Sequence, residues 1–350
     1  MAGEFLVQWK NENDAAYAIN AANLSYISPH LLYFGKRFIS PVEGQRNKLV
    51  ISGETAIKII VGGEHRMFKI NNDLVFTPVD LLDTGTALDP GTDYHVYCVA
   101  NADIGSLVVS KNATFPVGAT ADNSRRIGGF HTLCADVGTL QVSTHPLYGF
   151  TARDILPQST WDLLNRPRTC EPMGMVLDPN TKTWLDIYMQ SGTGVNTKSV
   201  YQGTVTKSRI WDMHQEDLAY VGKRMLTDQE FTSAAWGTIP YRAVMGAVDP
   251  ITTGGKVNTD GRRIISNIGC EDMAGCYWIW INCGNAGPGS AWADAAGQGQ
   301  QNQTIYAMLA GGYWSHTPAS GARARNAVNA RSAVNASSGS RGCADGLSVI

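Results

Sequence analysis

The chain has 350 residues, and its 28 basic and 30 acidic side chains leave a formal net charge of −2. This near balance argues against a protein that binds nucleic acid by neutralising many phosphates. The sequence contains no apolar run long enough to cross a bilayer, so we expect no membrane insertion. Only 17% of the residues are charged and 37 are glycine, a composition that favours a turn-rich β protein or an assembly part.

Seven cysteines occur in the chain, and no two of them have the C-x2-C spacing of common metal sites. Their odd number also argues against a complete disulfide framework. We therefore expect free thiols, buried in a protein made in a reducing cytoplasm, with no metal and no cofactor.

The first part of the chain divides into two expected segments. Residues 1–40 are irregular in pattern, and their length suits an N-terminal assembly or attachment segment. Residues 41–150 contain short β-rich runs separated by glycine-containing turns, which predicts a β-sandwich-like domain. One expected element is a hairpin, in which Met67–Ile70 and Leu74–Phe76 pair across the turn at 71–73.

Helix signals appear only in the later part of the chain, over residues 151–350. A possible N-cap opens Ser159–Leu164, and a second helix is expected over His214–Val221. The clearest signal is the spacing of Thr227 and Glu230, which fits a capping box with Thr as N-cap and Glu at the third helical position.

The segment from Tyr313 to Ser338 has an unusual composition. It holds 7 Ala, 5 Ser and 3 Asn among 26 residues, and it has no Lys, Asp or Glu. A disordered low-complexity segment is one explanation. Gly311–Trp314 before it and Arg341–Cys343 after it are typical of ordered strands and turns, and the arginines between them suggest buried or stacked guanidinium groups.

Three blocks of this sequence resemble a known fold. Gly222–Phe231 is similar to the GKRLP-x-x-x-E-F/W segment of formylglycine-generating-enzyme-type C-type lectin folds. Gly275–Trp280 resembles the G-x-x-W-x-W strand of that fold, and Gly311–Trp314 with Gly339–Gly342 resembles its C-terminal signature. The resemblance implies a mixed, β-rich chain in which an α+β C-type lectin fold covers residues 151–350.

The likeness extends upstream of the lectin blocks. Thr92–Tyr94, Arg126–His131, Glu171–Met175 and Trp184–Tyr188 resemble segments of the phage major tropism determinants, a family of receptor-binding tail-fibre tip proteins diversified by a retroelement. The resemblance implies a homotrimer at the tail-fibre tip of a virion, made in the host cytoplasm. Its implied partners are other tail-fibre proteins and a host cell-surface receptor, either protein or glycan.

In such variable proteins, adenines in Asn codons are rewritten. The family pattern implies eleven variable, ligand-binding positions in this sequence: Tyr313, Ser315, His316, Thr317, Ala319, Asn326, Val328, Asn329, Ala333, Asn335 and Ser337. Each residue can be reached by changing only adenines, whereas Lys, Glu, Gln, Met and Trp cannot and are absent from these positions. Ser338 fits the pattern less well.

The same resemblance implies a fixed scaffold under the variable region of about 313–338. Its expected members are large side chains that hold the backbone in place: Trp278, Trp280, Trp314, Arg323, Arg331 and Arg341. Only Tyr313 and His316 are large among the variable positions, so we expect weak binding at each site and a dependence on avidity.

Other functions have less support in the sequence. The copper–thiol chemistry of formylglycine-generating enzymes needs a cysteine pair that residues 320–326 lack, so we expect no enzyme. Glu171-Pro172-Met173 departs from the E-P-N motif of calcium-dependent lectins, although a glycan could bind without metal. Ser143, His145 and Asp136 lie close in sequence but have no nucleophile elbow.

One alternative with the same lectin fold stays open. The chain could be a variable ligand-binding protein displayed on a bacterial or archaeal cell surface. A secretion or lipoprotein signal would favour that function, and the N-terminal sequence shows neither a basic region nor an apolar stretch after it.

Overall fold

The computed structural model describes residues 2–8, 37–61, 63–101, 104–139, 142–285 and 306–347. The chain forms two compact units. Unit 1 comprises Met1–Leu133, Ala152–Arg166 and Leu347–Ile350, and unit 2 comprises Cys134–Thr151 and Pro167–Gly346. The division at residues 40 and 150 stays a prediction, and most of the assembly segment predicted for residues 1–40 lies outside the described residues.

Unit 1 is built from antiparallel strands. They are β1 (Ala2–Gln8), β2 (Ile39–Pro41), β3 (Leu49–Ile51), β4 (Thr55–Val61), β5 (Glu64–Ile70), β6 (Leu74–Phe76), β7 (Asp93–Asn101), β8 (Ile104–Ser110), β9 (Ser124–His131) and β10 (Trp161–Asp162). A seven-stranded sheet has the order β10-β9-β7-β8-β1-β5-β4, and a smaller sheet has the order β2-β3-β6. Both sheets contribute buried apolar side chains to one core, among them Ile51, Phe68 and Val96.

The hairpin predicted across residues 71–73 is wrong. β5 pairs with β4 and β1, whereas β6 pairs with β3 in the smaller sheet. The turn carries the chain from one sheet to the other, and the Asp73 carboxylate accepts a hydrogen bond from the Gly53 backbone N–H at 2.8 Å. Pairing with distant strands of the chain therefore prevails over the local turn signal.

The helix predicted over Ser159–Leu164 is also wrong. Pro157–Ser159 forms a single 3-10 turn, and the next residues form β10, which pairs with β9. The buried Asp162 carboxylate accepts hydrogen bonds from the backbone N–H groups of Phe38 at 2.6 Å and Ile39 at 3.0 Å. Sheet pairing and these bonds fix the segment in an extended conformation.

The described residues of unit 2 form three sheets and two α-helices. Its strands are β11 (Met175–Asp178), β12 (Thr183–Asp186), β13 (Gln190–Ser191), β14 (Lys198–Ser199), β15 (Arg224–Met225), β16 (Trp278–Asn285), β17 (Tyr306–Gly311), β18 (Gly321–Ala330), β19 (Ser338–Gly339) and β20 (Gly342–Asp345). The sheet orders are β11-β12-β20-β15, β13-β14 and β18-β17-β16-β19. β16 and β19 pair in parallel, and the other neighbours are antiparallel.

The other two predicted helices are confirmed. Helix α1 covers Trp211–Tyr220 and begins three residues before the predicted start, and helix α2 covers Asp228–Ala234. Thr227 caps α2 in a complete capping box with Glu230. Neither helix of the described residues is long and apolar enough to pass through a membrane.

The Glu230 carboxylate also receives a two-pronged ion pair. Its oxygens accept from Arg224 Nη2 at 2.6 Å and from Arg224 Nη1 at 2.8 Å, and from the Thr227 N–H at 2.8 Å. Burial by itself would raise the pKa of Glu230, but these donors outweigh it and lower the pKa to about 2. The start of α2 is therefore tied to β15 by a carboxylate that stays ionised.

Candidate functional site

Two tryptophans of β16 form the base of the candidate surface. Trp278 and Trp280 are both buried, and they belong to an apolar cluster that includes Trp211 of α1 and Leu309 of β17. The Trp278 backbone N–H donates to the Ser337 carbonyl at 3.0 Å. Trp278 therefore connects the core of unit 2 to the backbone of the predicted variable region.

Arg341 is a fully buried cation with backbone partners. Its guanidinium Nη1 donates to the carbonyls of Asp186 at 2.5 Å and Ile187 at 2.6 Å, and its Nη2 donates to the carbonyl of Glu271. These bonds connect the segment between β19 and β20 to the end of β12 and to the loop before β16. Arg341 therefore occupies the kind of position that the scaffold prediction describes.

A buried carboxylate accompanies Arg341. Asp186 lies 2.5 Å from Lys223 Nζ, and its Oδ2 accepts from the Gly342 N–H at 3.0 Å. Burial raises the pKa of Asp186, although Lys223 and Arg341 oppose that rise. A Cβ on Gly342 would lie 2.6 Å from this oxygen, which explains why the motif needs glycine there.

The structure corrects the predicted role of Arg323. Its side chain is exposed, and within the described residues it has no hydrogen bond or ion pair. Arg325, two residues later, holds the position instead: it stacks over Phe231 at 4.8 Å, pairs with Asp228 and donates to Thr232 Oγ1 at 2.7 Å. Strict alternation would place both arginines on one face, but β18 is irregular between Gly321 and Arg325, which pair with the adjacent Gly311 and Ala310 of β17. Spacing alone therefore did not reveal which arginine packs.

Two other predicted scaffold residues are half-buried. The Arg331 guanidinium stacks over the Trp211 ring at 4.3 Å and pairs with Asp212. The Trp314 ring lies edge-on to Tyr277, with their centroids 5.1 Å apart, and the Trp314 backbone N–H donates to the Cys276 carbonyl at 3.2 Å. Both residues contact the folded core from its surface.

Three candidate ligand-binding positions gather around Trp278. The rings of Tyr313 and His316 lie 4.3 Å apart, and His316 lies edge-on to Trp278 at 5.9 Å. Ser337 joins them through the backbone bond to Trp278. Tyr313, His316 and Ser337 are all partly exposed, so this group lies at the surface directly over the buried β16.

A second group consists of three asparagine side chains. Asn329 Nδ2 donates to Asn326 Oδ1 at 3.1 Å, and Asn335 Nδ2 donates to Asn329 Oδ1 at 3.3 Å. The Val328 N–H also donates to Asn326 Oδ1, and its side chain points into solvent. We call Asn326, Asn329 and Asn335 the amide chain. It brings the end of β18 next to the segment before β19.

The remaining candidate positions also lie at the surface. Ser315 and Ala319 are exposed, Thr317 is half-buried in the 3-10 turn Thr317–Ala319, and Ala333 is half-buried in the turn after β18. Ser338 is buried and pairs with Trp278 in the parallel ladder, so it is not available as a variable contact.

Sequence reasoning missed several exposed positions among these candidates. Pro318, Ser332, Val334 and Ala336 are all exposed, and the last three alternate with half-buried neighbours. That two-residue alternation is visible in the burial of the segment, but the sequence around it is almost uniformly small and polar. Hydrophobic patterning therefore carried no signal there.

The alternative catalytic and metal sites are not assembled in the described part of the chain. The ring of His145 accepts from the Leu147 N–H at 3.1 Å and contacts the Ile265 carbonyl at 3.3 Å, so backbone groups orient it. No group of three or more His, Cys, Asp or Glu within the described ranges could hold a metal ion. All seven cysteines are free thiols, as predicted, and five of them are buried.

Comparison with known proteins agrees with this arrangement. The family model described as the Mtd second domain matches residues 42–162. The tail fiber receptor-binding protein of Bordetella phage BPP-1 is 30% identical over 307 residues, which are 80% of this chain and 77% of that protein. This chain belongs to the major tropism determinant family.

Solved structures of the major tropism determinant family share the fold of the chain. The U1 variant aligns with a TM-score of 0.69 and 25% identity, covering 91% of this chain and 88% of its own. The P3c variant aligns with a TM-score of 0.68 over the same shares. The predicted β-rich chain with a C-type lectin fold, and its predicted kinship with the major tropism determinants, are confirmed.

Proposed function

We propose that this chain is the receptor-binding tip protein of a phage tail fibre, and that the candidate positions within 313–337 contact a ligand on the host cell surface. The support comes from the family, whose members include a tail-fibre receptor-binding protein, and from the geometry of unit 2. The protein acts by binding and performs no chemistry.

One observation carries the proposal. Partly exposed candidate side chains lie over the buried Trp278 and Trp280: Tyr313 packs against that cluster, and His316 lies edge-on to Trp278. Residues such as Val328 and Ser315 can change without disturbing that buried layer. Because the backbone is already ordered, binding costs little conformational entropy.

The same surface suggests how strongly it binds. Tyr313 and His316 supply the only large rings among the eleven candidate positions, so each copy has few strong contacts. We propose that a homotrimer, attached to other tail-fibre proteins, presents several copies and gains avidity from them.

A matched pair of variants tests the binding role. Val328 and Val195 are each 75% exposed in unit 2, but only Val328 is a candidate position. Cells of a strain that the phage infects are incubated with fluorescently labelled protein, and bound label is counted. We expect Val328→Asp to reduce labelling with unchanged melting temperature, and Val195→Asp to leave both unchanged. Tyr313→Ala is expected to reduce labelling with a small loss of melting temperature, because the Tyr313 ring packs against the cluster around Trp278.

The opposite outcomes are informative. Equal loss for Val195→Asp would mean that the effect is general, and full labelling by both candidate variants would place the receptor contact elsewhere on the chain.

The DNA sequence around this gene tests whether a retroelement diversifies it. We expect a reverse transcriptase gene near this one, together with a second copy of the 3′ end that differs at adenines in the codons for the candidate positions. A complete genome without either feature would contradict a retroelement origin while leaving receptor binding intact.

A further inference from the structure

A cleft of about 830 Å³ lies in unit 2 beside the start of β18. Its walls come from Val142, Thr144 and His145, from the loop Trp236–Tyr241, from Asn267 and from residues 318–324. The volume is within the range of small-molecule sites, about 300–1,000 Å³. Of the candidate variable positions only Ala319 is among the lining residues, so most of the wall belongs to positions that the variable pattern does not include.

Two large aromatic side chains at the cleft face solvent. Trp236 is 65% exposed and Tyr241 is 63% exposed. The Tyr241 backbone has a φ of 61°, an unusual conformation for a bulky residue, and its N–H donates to the Ser320 carbonyl at 2.7 Å. Strained backbone that persists commonly marks a functional position. Here it fixes the exposed ring beside β18.

The cleft has a positive charge without a counter-charge. Arg323 lines it and is exposed, no Asp or Glu is among its lining residues, and Arg323 has no ion pair within the described ranges. A guanidinium group offers parallel N–H donors that match the two oxygens of a carboxylate. An anionic ligand with a planar carboxylate is therefore the complementary partner.

Polar groups on the wall complete the pattern. Thr238 is buried against the cleft, and its hydroxyl has no hydrogen-bond partner in the part of the chain that the structure describes. That oxygen is enclosed by protein, so Thr238 shapes the wall without contacting a ligand. Asn267 lines the wall as well and carries an amide group. Together with the two rings, this amide suits a ligand that has both an apolar face and hydroxyl groups.

We propose that this cleft binds a saccharide carrying a carboxylate, with a sugar ring stacked on Trp236 or Tyr241 and its carboxylate paired with Arg323. A pyranose ring presents C–H groups on one face and hydroxyls at its edge, which matches the aromatic and polar parts of the wall. The site goes beyond the receptor contact proposed for the eleven candidate positions, because Ala319 is the one candidate position among the residues that line the cleft.

Calorimetry on the full chain tests the site with defined probes. The acidic probes are tetragalacturonate, a hyaluronan tetrasaccharide and a sialic acid dimer, and the neutral probe is the methyl ester of tetragalacturonate. We expect saturable binding of at least one acidic probe, weaker binding at high salt because an exposed ion pair is screened, and much weaker binding of the neutral ester.

Variants locate the binding. We expect Trp236→Ala and Arg323→Gln each to weaken the acidic probe by about tenfold, which corresponds to about 1.4 kcal/mol. Arg323→Lys keeps the charge but not the paired donors, so an intermediate loss is expected. The matched controls are Tyr220→Ala, an aromatic that is 67% exposed, and Arg262→Gln, an exposed arginine; neither lines the cleft, and we expect wild-type affinity.

Three results would overturn the proposal. The first is no saturable binding of any acidic probe. The second is binding that Trp236→Ala and Arg323→Gln leave unchanged. The third is loss of cell labelling in these variants without any saccharide binding, which would make the cleft a protein contact. A failure of the receptor proposal appears instead in the Val328→Asp labelling experiment, so the two failures are distinguishable.

Discussion

Two neighbouring stretches of unit 2 differ in how deeply their side chains are buried. From Ser338 to Ala344, residues are buried, and Arg341 and Gly342 bond to the core through defined partners. In β18 and the turn after it, β17 holds the backbone by main-chain pairing while most side chains stay partly exposed. The contrast indicates that the pairing of β18 with β17 and the packing of the buried stretch hold the backbone in place. Most exposed side chains of β18 and of the turn after it can therefore change without altering that backbone.

A substitution in the buried stretch has the largest expected effect on the free energy of unfolding. Arg341→Met removes donors from three buried carbonyls and leaves Asp186 with less positive charge nearby. We expect a loss of about 3–5 kcal/mol in the free energy of unfolding, measured by urea denaturation.

The control for that change is Arg323→Met, at an exposed position of β18. We expect it to change the free energy of unfolding by less than about 0.5 kcal/mol. Equal losses in the two variants would remove the contrast between the two stretches.

Lowering the pH tests the ion pair between Glu230 of α2 and Arg224 of β15. β15 pairs with β20, which belongs to the buried stretch. The pKa of Glu230 is about 2 in the folded chain, below the ordinary value of 4.5. A lowered pKa means that this pair contributes full stability above about pH 4.5, and that the contribution is lost as the pH falls towards 2.

The measurement compares melting temperatures of the wild type and Glu230→Gln across that window. We expect the wild type to be the more stable protein at pH 6 and the gap between the two to narrow as the pH falls to 2. A gap that stays constant with pH would mean that the carboxylate charge is not what holds α2 to β15.

The smallest expected effect on stability comes from comparing two arginines of β18, Arg323 and Arg325. Arg325→Gln removes the stack on Phe231 and a partly exposed ion pair with Asp228. We expect it to cost about 1 kcal/mol in urea denaturation. Arg323→Gln, which differs only in position, is expected to cost less than about 0.5 kcal/mol. The reverse order would restore the scaffold role first predicted for Arg323.

Local signals in the sequence predicted part of this fold. The capping box at Thr227 and Glu230 located α2 because the bonds that start that helix are formed between residues three apart. The lectin-fold motifs likewise identified the buried Trp280 and Arg341, since each belongs to a short segment with fixed spacing.

What the sequence did not reveal depends on distant partners. The strand Leu74–Phe76 pairs with Leu49–Ile51 rather than with its neighbour, and Asp162 bonds to the backbone of Phe38. The cleft beside β18 had no sequence signal either, because the loop that carries Trp236 and Tyr241 and the strand that carries Arg323 are distant in sequence and meet only in the folded chain.

The amide chain has a consequence for how a repertoire on this surface would be counted. Asn326, Asn329 and Asn335 pass hydrogen bonds from one to the next, so each side chain sets what its neighbour can accept or donate. A substitution at the middle residue changes the options at both ends, and effects at the three sites are then not additive. If these three positions vary, the number of combinations that keep the hydrogen bonds is smaller than the product of the single-residue alternatives.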